Sequence, residues 1–484
     1  MYKAPFDLLA SARQEMIQHG FAPDFPDGTE QQISAIRSAP LPAPDSQIRD
    51  LRQLLWSSID NDTSKDLDQV EVAEQTRSGI RVLVGISDVA SAVAPATPID
   101  RHAAQETVTV YTAVKNFPML PEALSTDLTS LDENCDRPAI VIEFIVDSQG
   151  VISSPNIYRA LVRNQAQLTY DAVGAWLEGR TGPDAKVAAS GDLQSQLRLQ
   201  DQAACLLREQ RQRLGALNFD RVEAVTQVRN GNVSDIRSAR KTRANDLVED
   251  FMIAANEVMA TTLRERGVSC IRRVVKTPER WPRIVELAAK LGTKLPDAPD
   301  AKALGAFLDT RKRADPDHYA DVSLAVVKLM GPGEYVMTKA GEAGEGHFGL
   351  AAHDYTHSTA PNRRFADLVT QRLIKSVIAS KPAPYSDNDL EDIARNCTLK
   401  EDAARKVERV MEKRVAAVAM QNRIGERFGA IVTGVTPKGT FVRLINPPVE
   451  GILWRGQEGA DVGDKFDVTL TSTDPQKGYI DFAR

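Results

Sequence analysis

The chain has 484 residues, 42% hydrophobic and 26% charged, the composition of a globular protein of roughly two or three domains. Its 60 basic residues are outnumbered by 66 acidic ones, so no global positive field draws in nucleic acid and any polyanion site must be local. No apolar run approaches membrane-spanning length, and the start "MYKAPFDLLASARQEM" lacks the layout of a secretory signal; the scattered Cys135, Cys205, Cys270 and Cys397 form no zinc framework and suit reduced thiols in a cytoplasmic protein.

Residues 1–37 read as helical: "FDLLASARQEMIQHG" carries an apolar stripe and ends at Gly20, a fitting C-cap. The segment is too short for a substantial core of its own. With the Pro-rich stretch "SAPLPAPDS" (38–46) behind it, residues 1–45 read as a small helical module, helix-turn-helix-like, and a linker. Next, "IDNDTSKDLDQVE" (59–71) holds Asp60, Asp62, Asp66 and Asp68, and like charges so close need something positive among them. "VEVAEQTRSGIRVLVGISDV" alternates, turns at Ser78–Gly79 and alternates again, the pattern of a β-hairpin, and "RPAIVIEFIVDSQGVI" (137–152) repeats it around Gln149–Gly150.

Residues 155–218 and 238–268 are rich in helix formers, and "DLVEDFMIAANEVMATTLRERG" is an amphipathic helix closed by Gly267. Helix is expected again over 363–380; "SKPAPYSDND" (380–389) breaks the chain and 389–422 forms a long helix. Strands early and helices later make the middle region, 46–422, an α+β domain with a mixed sheet surrounded by helices. Residues 423–484 differ: short alternating strands separated by Gly and Pro indicate a small closed all-β barrel of the OB type.

Three readings of the aspartates compete. A solvated acidic loop is the plain one. An EF-hand is the second, since "DNDTSKDLDQVE" places oxygen-bearing side chains at the ligand positions of such a loop and ends on Glu71; Lys65 stands where the sharp turn needs Gly, and a strand follows where a helix should leave. The third is a catalytic Mg²⁺ site. Asp66 and Asp68, two apart in an extended segment, point the same way, and Asp60 closes on them across a turn, leaving room for waters and substrate phosphate. The ion would polarise a phosphodiester and acidify an attacking water.

Far downstream, "GHFGLAAHDYTHSTAPNRRFADLVTQRLIKSV" (346–377) favours the third reading. Pro361 is expected to start a helix whose beginning gathers Arg363, Arg364 and Arg372, an anion site suited to phosphate. The plainer alternative is surface arginines paired with Asp354 and Asp367.

These motifs resemble the ribonuclease II / ribonuclease R family, whose catalytic RNB domain degrades RNA from its 3′ end. The family pattern is an Asp, five residues, then D-F/L/M-D-D; here Asp60 is followed by Asp66-Leu67-Asp68-Gln69. The resemblance runs through "GISDVASAV" (85–93), "VYTAVKNFPMLPEALSTDLTSL" (110–131), "GALNFD" (215–220), "DLVEDFMIAANE" (246–257) and "GHFGLAAHDYTHSTAPNRRFADL" (346–368), in the family's order over roughly residues 50–420. The terminal barrel resembles the S-one-type OB domain that follows RNB in the family.

The resemblance implies that Asp60, Asp66 and Asp68 hold Mg²⁺ and the attacking water, and that Arg363 stabilises the phosphorane, with Arg364 its basic neighbour. It makes Tyr111 and Phe219 the aromatics that sandwich the 3′-terminal bases, with Tyr170 near the channel and Glu412 near the RNA 3′ end. Phe428 and Phe441 are expected to stack bases on the barrel, as an entry clamp. The activity implied is a processive 3′→5′ exoribonuclease that hydrolyses single-stranded RNA to 5′-mononucleotides and a short limit oligonucleotide, acting as a monomer.

The sequence departs from the family in four places. Gln69 replaces the fourth aspartate and offers one neutral oxygen, which lowers metal affinity unless Asp62 or Asp88 compensates. Asn362 interrupts the family's PIRR and Phe365 replaces a tyrosine, both read as mild changes. The short helical segment stands where the family carries two cold-shock domains. The alternative function is therefore a family member that binds RNA without cutting it; an unrelated Mg²⁺ phosphodiesterase is a third.

Overall fold

In this computed structural model, which describes residues 6–484 apart from 46, 220–222, 230–231, 240 and 317–318, helices α1 (Leu8–Gln18) and α2 (Thr29–Ser38) precede a strand-rich region. The strands are β1 (Ile48–Asp50), β2 (Trp56–Asp60), β3 (Gln69–Thr76), β4 (Gly79–Ser87), β5 (Asp136–Val146) and β6 (Ile152–Thr169). The helices that shape the site are α3 (Tyr170–Leu177), α4 (Gly191–Leu214), α5 (Arg243–Glu265), α6 (Phe365–Ile378) and α7 (Asp387–Met420).

The six strands form one sheet in the order β1-β6-β2-β3-β4-β5, and β6 also pairs with β5. The first part of β6 runs antiparallel to β5; its last part runs parallel to β2 and ends with Thr169 opposite Asp60. That register delivers the chain from β6 into α3 right beside Asp60. The β3–β4 hairpin turns at Arg77–Ser78, since Thr76 lies opposite Gly79.

Residues 155–169 were expected to be helical and are strand instead. Tyr158, Ala160, Val162, Asn164, Ala166 and Leu168 are all buried, an alternation broken only by buried Leu161 that suits a sheet and wastes a helix. Helix-favouring Ala, Leu, Arg and Gln were outvoted by pairing with β5 and β2, since propensity is a weak prior against tertiary contacts. One face of the sheet packs Ile59, Val82, Val84 and Ile142 against Leu197, Leu247 and Phe251 from α4 and α5. The other face gathers Trp56, Leu67, Val70, Leu83 and Val141. Burial on both faces explains the near-continuous apolar run "VLVGI" in β4.

The first helices have no core of their own. Leu8, Ala12 and Met16 of α1 pack with Val407, Met411 and Val415 of α7, and Arg414 bonds Glu15 at 2.8 Å and Ser11 at 2.7 Å. Ile33 of α2 joins the main core. The helix-turn-helix-like reading is thus replaced by two helices laid on the body of the protein. At the other end, five strands between Arg427 and Ala483 close into a barrel. The last turns of α7 enter its core through Ala417 and Met420, so one helix braces both termini.

α3 and α5 come especially close at Gly174. A Cβ on Gly174 would stand 2.5 Å from the Thr242 side chain, the N-cap of α5, whose hydroxyl also donates to the Tyr170 carbonyl at 3.3 Å. Gly174→Ala is expected to cost about 1–3 kcal/mol through overpacking, read as a lowered urea midpoint by circular dichroism. An unchanged midpoint would show that the two helix ends can separate freely.

Candidate active site

β2 ends at Asp60, β3 begins at Gln69, and the segment between them carries Asp66 and Asp68 back to the strand ends. All three aspartates and Gln69 line one cleft of about 740 Å³. Residues 60–71 run from strand to strand, which removes the EF-hand reading, because that motif needs flanking helices. Asp60 accepts from the Asn61 backbone at 2.7 Å and the Ser64 hydroxyl at 2.8 Å. Asp66 accepts from the Tyr111 hydroxyl at 3.3 Å.

Asp68 is the most constrained of the three, with 2% exposure. Its Oδ1 accepts from the Asn362 backbone at 3.2 Å and from the Asn362 amide at 2.9 Å, while Arg363 Nε stands 3.3 Å from Oδ2. Burial pushes the carboxyl up to about 7, with the Asp66 charge adding to the shift and Arg363 and Asn362 opposing it. Asn362 is itself buried and accepts from Thr129 Oγ1 at 2.6 Å, so its orientation is set.

Arg363 reaches the cleft from a turn, not from a helix. α6 begins at Phe365 with extended Arg364 as its N-cap, four residues after the Pro361 start expected from sequence. Backbone bonds from Thr109 to the Arg363 carbonyl (3.0 Å) and from Phe365 to the Thr107 carbonyl (2.8 Å) tie residues 363–365 to 107–109, with Arg364 extended opposite Val108. The Arg363 side chain stays half exposed, paired on one side and open on the other.

Tyr111, Tyr170 and Phe219 line the same cleft. Tyr170 opens α3, and the Tyr111 backbone N–H donates to Glu408 of α7 at 3.0 Å. Among the described residues no three His, Cys, Asp or Glu side chains stand close enough together to ligate one ion. The donors are nonetheless hard oxygens throughout, and Mg²⁺ ordinarily takes one or two carboxylates and keeps its waters.

Residues 48–380 match the RNB domain model, and residues 426–484 match the RNase II-type exonuclease C-terminal S1 domain. The chain belongs to the RNB family. Ribonuclease R 1 of Lactococcus lactis is 30% identical over 444 residues, 89% of this chain and 53% of that protein, so the chain spans about half of its relative's length. Mycoplasma genitalium RNase R, solved in complex with ribose-methylated single-stranded RNA, aligns with a TM-score of 0.86 at 23% identity, over 99% of this chain and 78% of that one. Yeast Ssd1, described as a pseudonuclease, aligns with a TM-score of 0.73 at 18% identity, over 91% and 55%. At those identities the likeness is one of fold.

Several residues singled out from sequence lie outside the cleft of this RNB domain. Arg364 turns inward and pairs with fully buried Asp367 at 2.7 Å, because Asp367 sits one turn along the same helix. Arg372 is buried against Asp100 (2.6 Å), while Asp354 pairs with Arg264 and Arg272 and not with the 363–364 arginines. Phe428 was expected to stack bases; it is buried in the barrel core with the Arg423 guanidinium over its ring. Phe441 remains partly exposed on the barrel. Glu412 lies exposed on α7 and does not line the cleft. Neither candidate to offset Gln69 reaches the aspartates: Asp62 is exposed outside the cleft, and Asp88 is tied to Lys375 at 2.6 Å.

Other lining residues escaped the sequence reading. Asn245, Val248, Glu249 and Met252 of α5 face the cleft, joined by Lys241 just before the helix. Their spacing is a helix-face stripe, the signal that was available, but a stripe equally describes core packing. Asn362, read as a mild change, proves to anchor Asp68.

Asn362→Leu removes both a side-chain donor and polar support from a buried carboxylate. It is expected to destabilise by about 2–4 kcal/mol, measured by denaturant unfolding; a loss below about 0.5 kcal/mol would mean that water replaces the amide at no cost.

A second expectation concerns pH. Near Arg364, His357 is half-buried with Nδ1 2.8 Å from the Tyr335 hydroxyl, and loss of water around the ring, with the nearby Arg364 and Arg273 charges, holds it well below its ordinary value. Burial likewise lowers His347 and His102 to about 4. These groups bind protons less readily folded than unfolded, so their contribution is full above about 6.5 and is lost as pH falls toward 4. Asp68 and Glu257, both pushed up to about 7 by burial, take up protons over the same range and oppose this. The imidazole contribution is therefore read as a difference: between pH 7 and pH 5 wild type should lose more melting temperature than His102→Gln. Parallel curves for the two proteins would contradict the assignment of a neutral, buried His102 imidazole.

Proposed function

We propose that the chain is a Mg²⁺-dependent 3′→5′ exoribonuclease that degrades single-stranded RNA processively to 5′-mononucleotides and leaves a short oligonucleotide. One observation carries this reading: Asp60, Asp66 and Asp68 share a cleft with the half-exposed Arg363 and with three aromatic rings. Acids outnumber bases in that cleft, since Asp171 and Glu249 also line it against Lys241 and Arg363. Such a wall repels phosphate unless a cation lies between them. RNase R proteins supply the family context for RNA as substrate.

In this reading Asp60, Asp66 and Asp68 line the place where Mg²⁺ would bind, with one or two of the carboxylates as direct ligands and water filling the rest of its shell. The ion supplies a more acidic water and screens the phosphodiester charge. The remaining work belongs to side chains. Arg363, with donors left over from its pairing to Asp68, binds the non-bridging phosphate oxygens, where negative charge grows as the bond to the incoming water forms. Tyr111 and Phe219 stack the terminal bases without selecting sequence. Phe441 on the barrel guides the incoming strand. Four free thiols suit a reducing, cytoplasmic setting.

A second reading, RNA binding without cleavage, is favoured by one observation, Gln69 in the acidic cleft. The two separate in an assay of purified protein on 5′-labelled single-stranded RNA with and without Mg²⁺, beside Asp68→Asn. The exonuclease predicts metal-dependent shortening to a small limit product and a loss of about 100-fold or more in the variant. RNA bound yet left full length at every Mg²⁺ concentration establishes the second reading instead.

A further inference from the structure

Behind the cleft lies an acid that the mechanism above does not use. Glu71 follows Gln69 by two residues in β3, so both side chains leave the strand on the same face. Glu71 is fully buried, and neither of its carboxylate oxygens has a hydrogen-bond partner. Gln200 of α4 reaches the same place but spends its donors on the Glu71 backbone carbonyl (3.3 Å) and the Ser57 hydroxyl (3.4 Å). A carboxylate without donors or a countercharge is among the costliest groups a core can hold. Val70 and Val72, on either side, show what an ordinary core position in this strand carries.

The Glu71 environment is tied to the cleft. Burial, and then the Asp60 charge, push its carboxyl well above the usual carboxylate range, so Asp60 lies within electrostatic reach. Asp60 and Glu71 both act on the Tyr170 hydroxyl, which lines the cleft. Positive charge placed among the aspartates would therefore also lie within the field of Glu71, and in a low-dielectric interior that attraction acts over several ångströms without direct ligation.

We propose that Glu71 is a charge-providing residue of the cation site, lending from behind the cleft wall the negative charge that Gln69 does not carry. The inference rests on the reading of the cleft as a Mg²⁺ site. Glu71 ligates nothing itself; burial keeps its proton on while the cleft holds no cation, and a cation at Asp60 draws that proton off to solvent, so that the carboxylate then holds the cation through its field as a positioning residue. This explains how one chain combines a neutral residue at the cleft wall with an unpaired acid on the same strand face.

The test reads metal binding in the absence of RNA. Mn²⁺ is titrated into the full chain, and free ion is followed by electron paramagnetic resonance, for wild type, Glu71→Gln, Gln69→Asp and Asp68→Asn. Glu71→Gln is expected to weaken Mn²⁺ binding about tenfold or more, as loss of a supporting residue does. Gln69→Asp should tighten it less than about threefold, because the charge is already supplied. A folded Glu71→Gln with unchanged affinity overturns the proposal. Should that variant fail to fold, a gain of about tenfold or more in Gln69→Asp overturns it equally. If Asp68→Asn releases Mn²⁺ while Glu71→Gln does not, only the role of Glu71 fails; if wild type binds no Mn²⁺, the cation site itself fails.

Discussion

The buried carboxylate of Asp68 is the constraint on which the site depends. An ionised carboxylate at 2% exposure needs donors, and this one takes two from Asn362 and a guanidinium from Arg363. Those contacts pull the turn at 361–364 onto the end of β3. The same turn is pinned from behind by backbone bonds to 107–109, which leads directly to Tyr111. One acid thus brings together the aspartate segment, the arginine and the first aromatic ring, from parts of the chain that lie far apart in sequence. Loops that carry function are placed by rigid neighbours in this way.

The pairing with Arg363 is incomplete by design of the geometry. A guanidinium presents five donors, and contact with one carboxylate oxygen leaves most of them directed elsewhere. Half exposed in the cleft, Arg363 is prepared to take a second anion while still restraining Asp68. Arg364, next in sequence, is committed inward to Asp367, on the side of buried Tyr335 and Tyr355, whose rings both meet half-buried His357 edge-on. The chain turns at Arg363 and extends at Arg364 before the helix starts at Phe365, so one arginine addresses the cleft and the other the core.

The long helix α7 gives the rest of the molecule its coherence. It receives α1 along its middle, supplies Glu408 to the Tyr111 backbone, and inserts its last turn into the barrel. Arg443 of the barrel adds a bond to Asp321 at 3.1 Å. The barrel is therefore tied to the body of the protein, and its exposed face, including Phe441, is presented from a fixed base.

The sequence by itself determined the class of fold, the terminal barrel, the aspartate cluster and Arg363 through local pattern: alternation, turn residues, or side chains within a short motif. The three aromatics that share the cleft were legible only through the resemblance to the family. Only tertiary structure decided the rest. Whether 155–169 became strand or helix depended on partners in β5 and β2 that no local window contains. Whether Arg364, Arg372 and Phe428 faced ligand or core depended on the positions of Asp367, Asp100 and the barrel interior. Asn362 looked like a mild replacement because its partner, Asp68, lies almost three hundred residues away, at a separation of 294. Glu71 read as the closing position of an EF-hand-like loop; the fold instead places it in β3 and encloses it between the sheet and α4. Charge and hydrogen-bond satisfaction are properties of neighbours in space, and for these residues the neighbours are supplied by the fold alone.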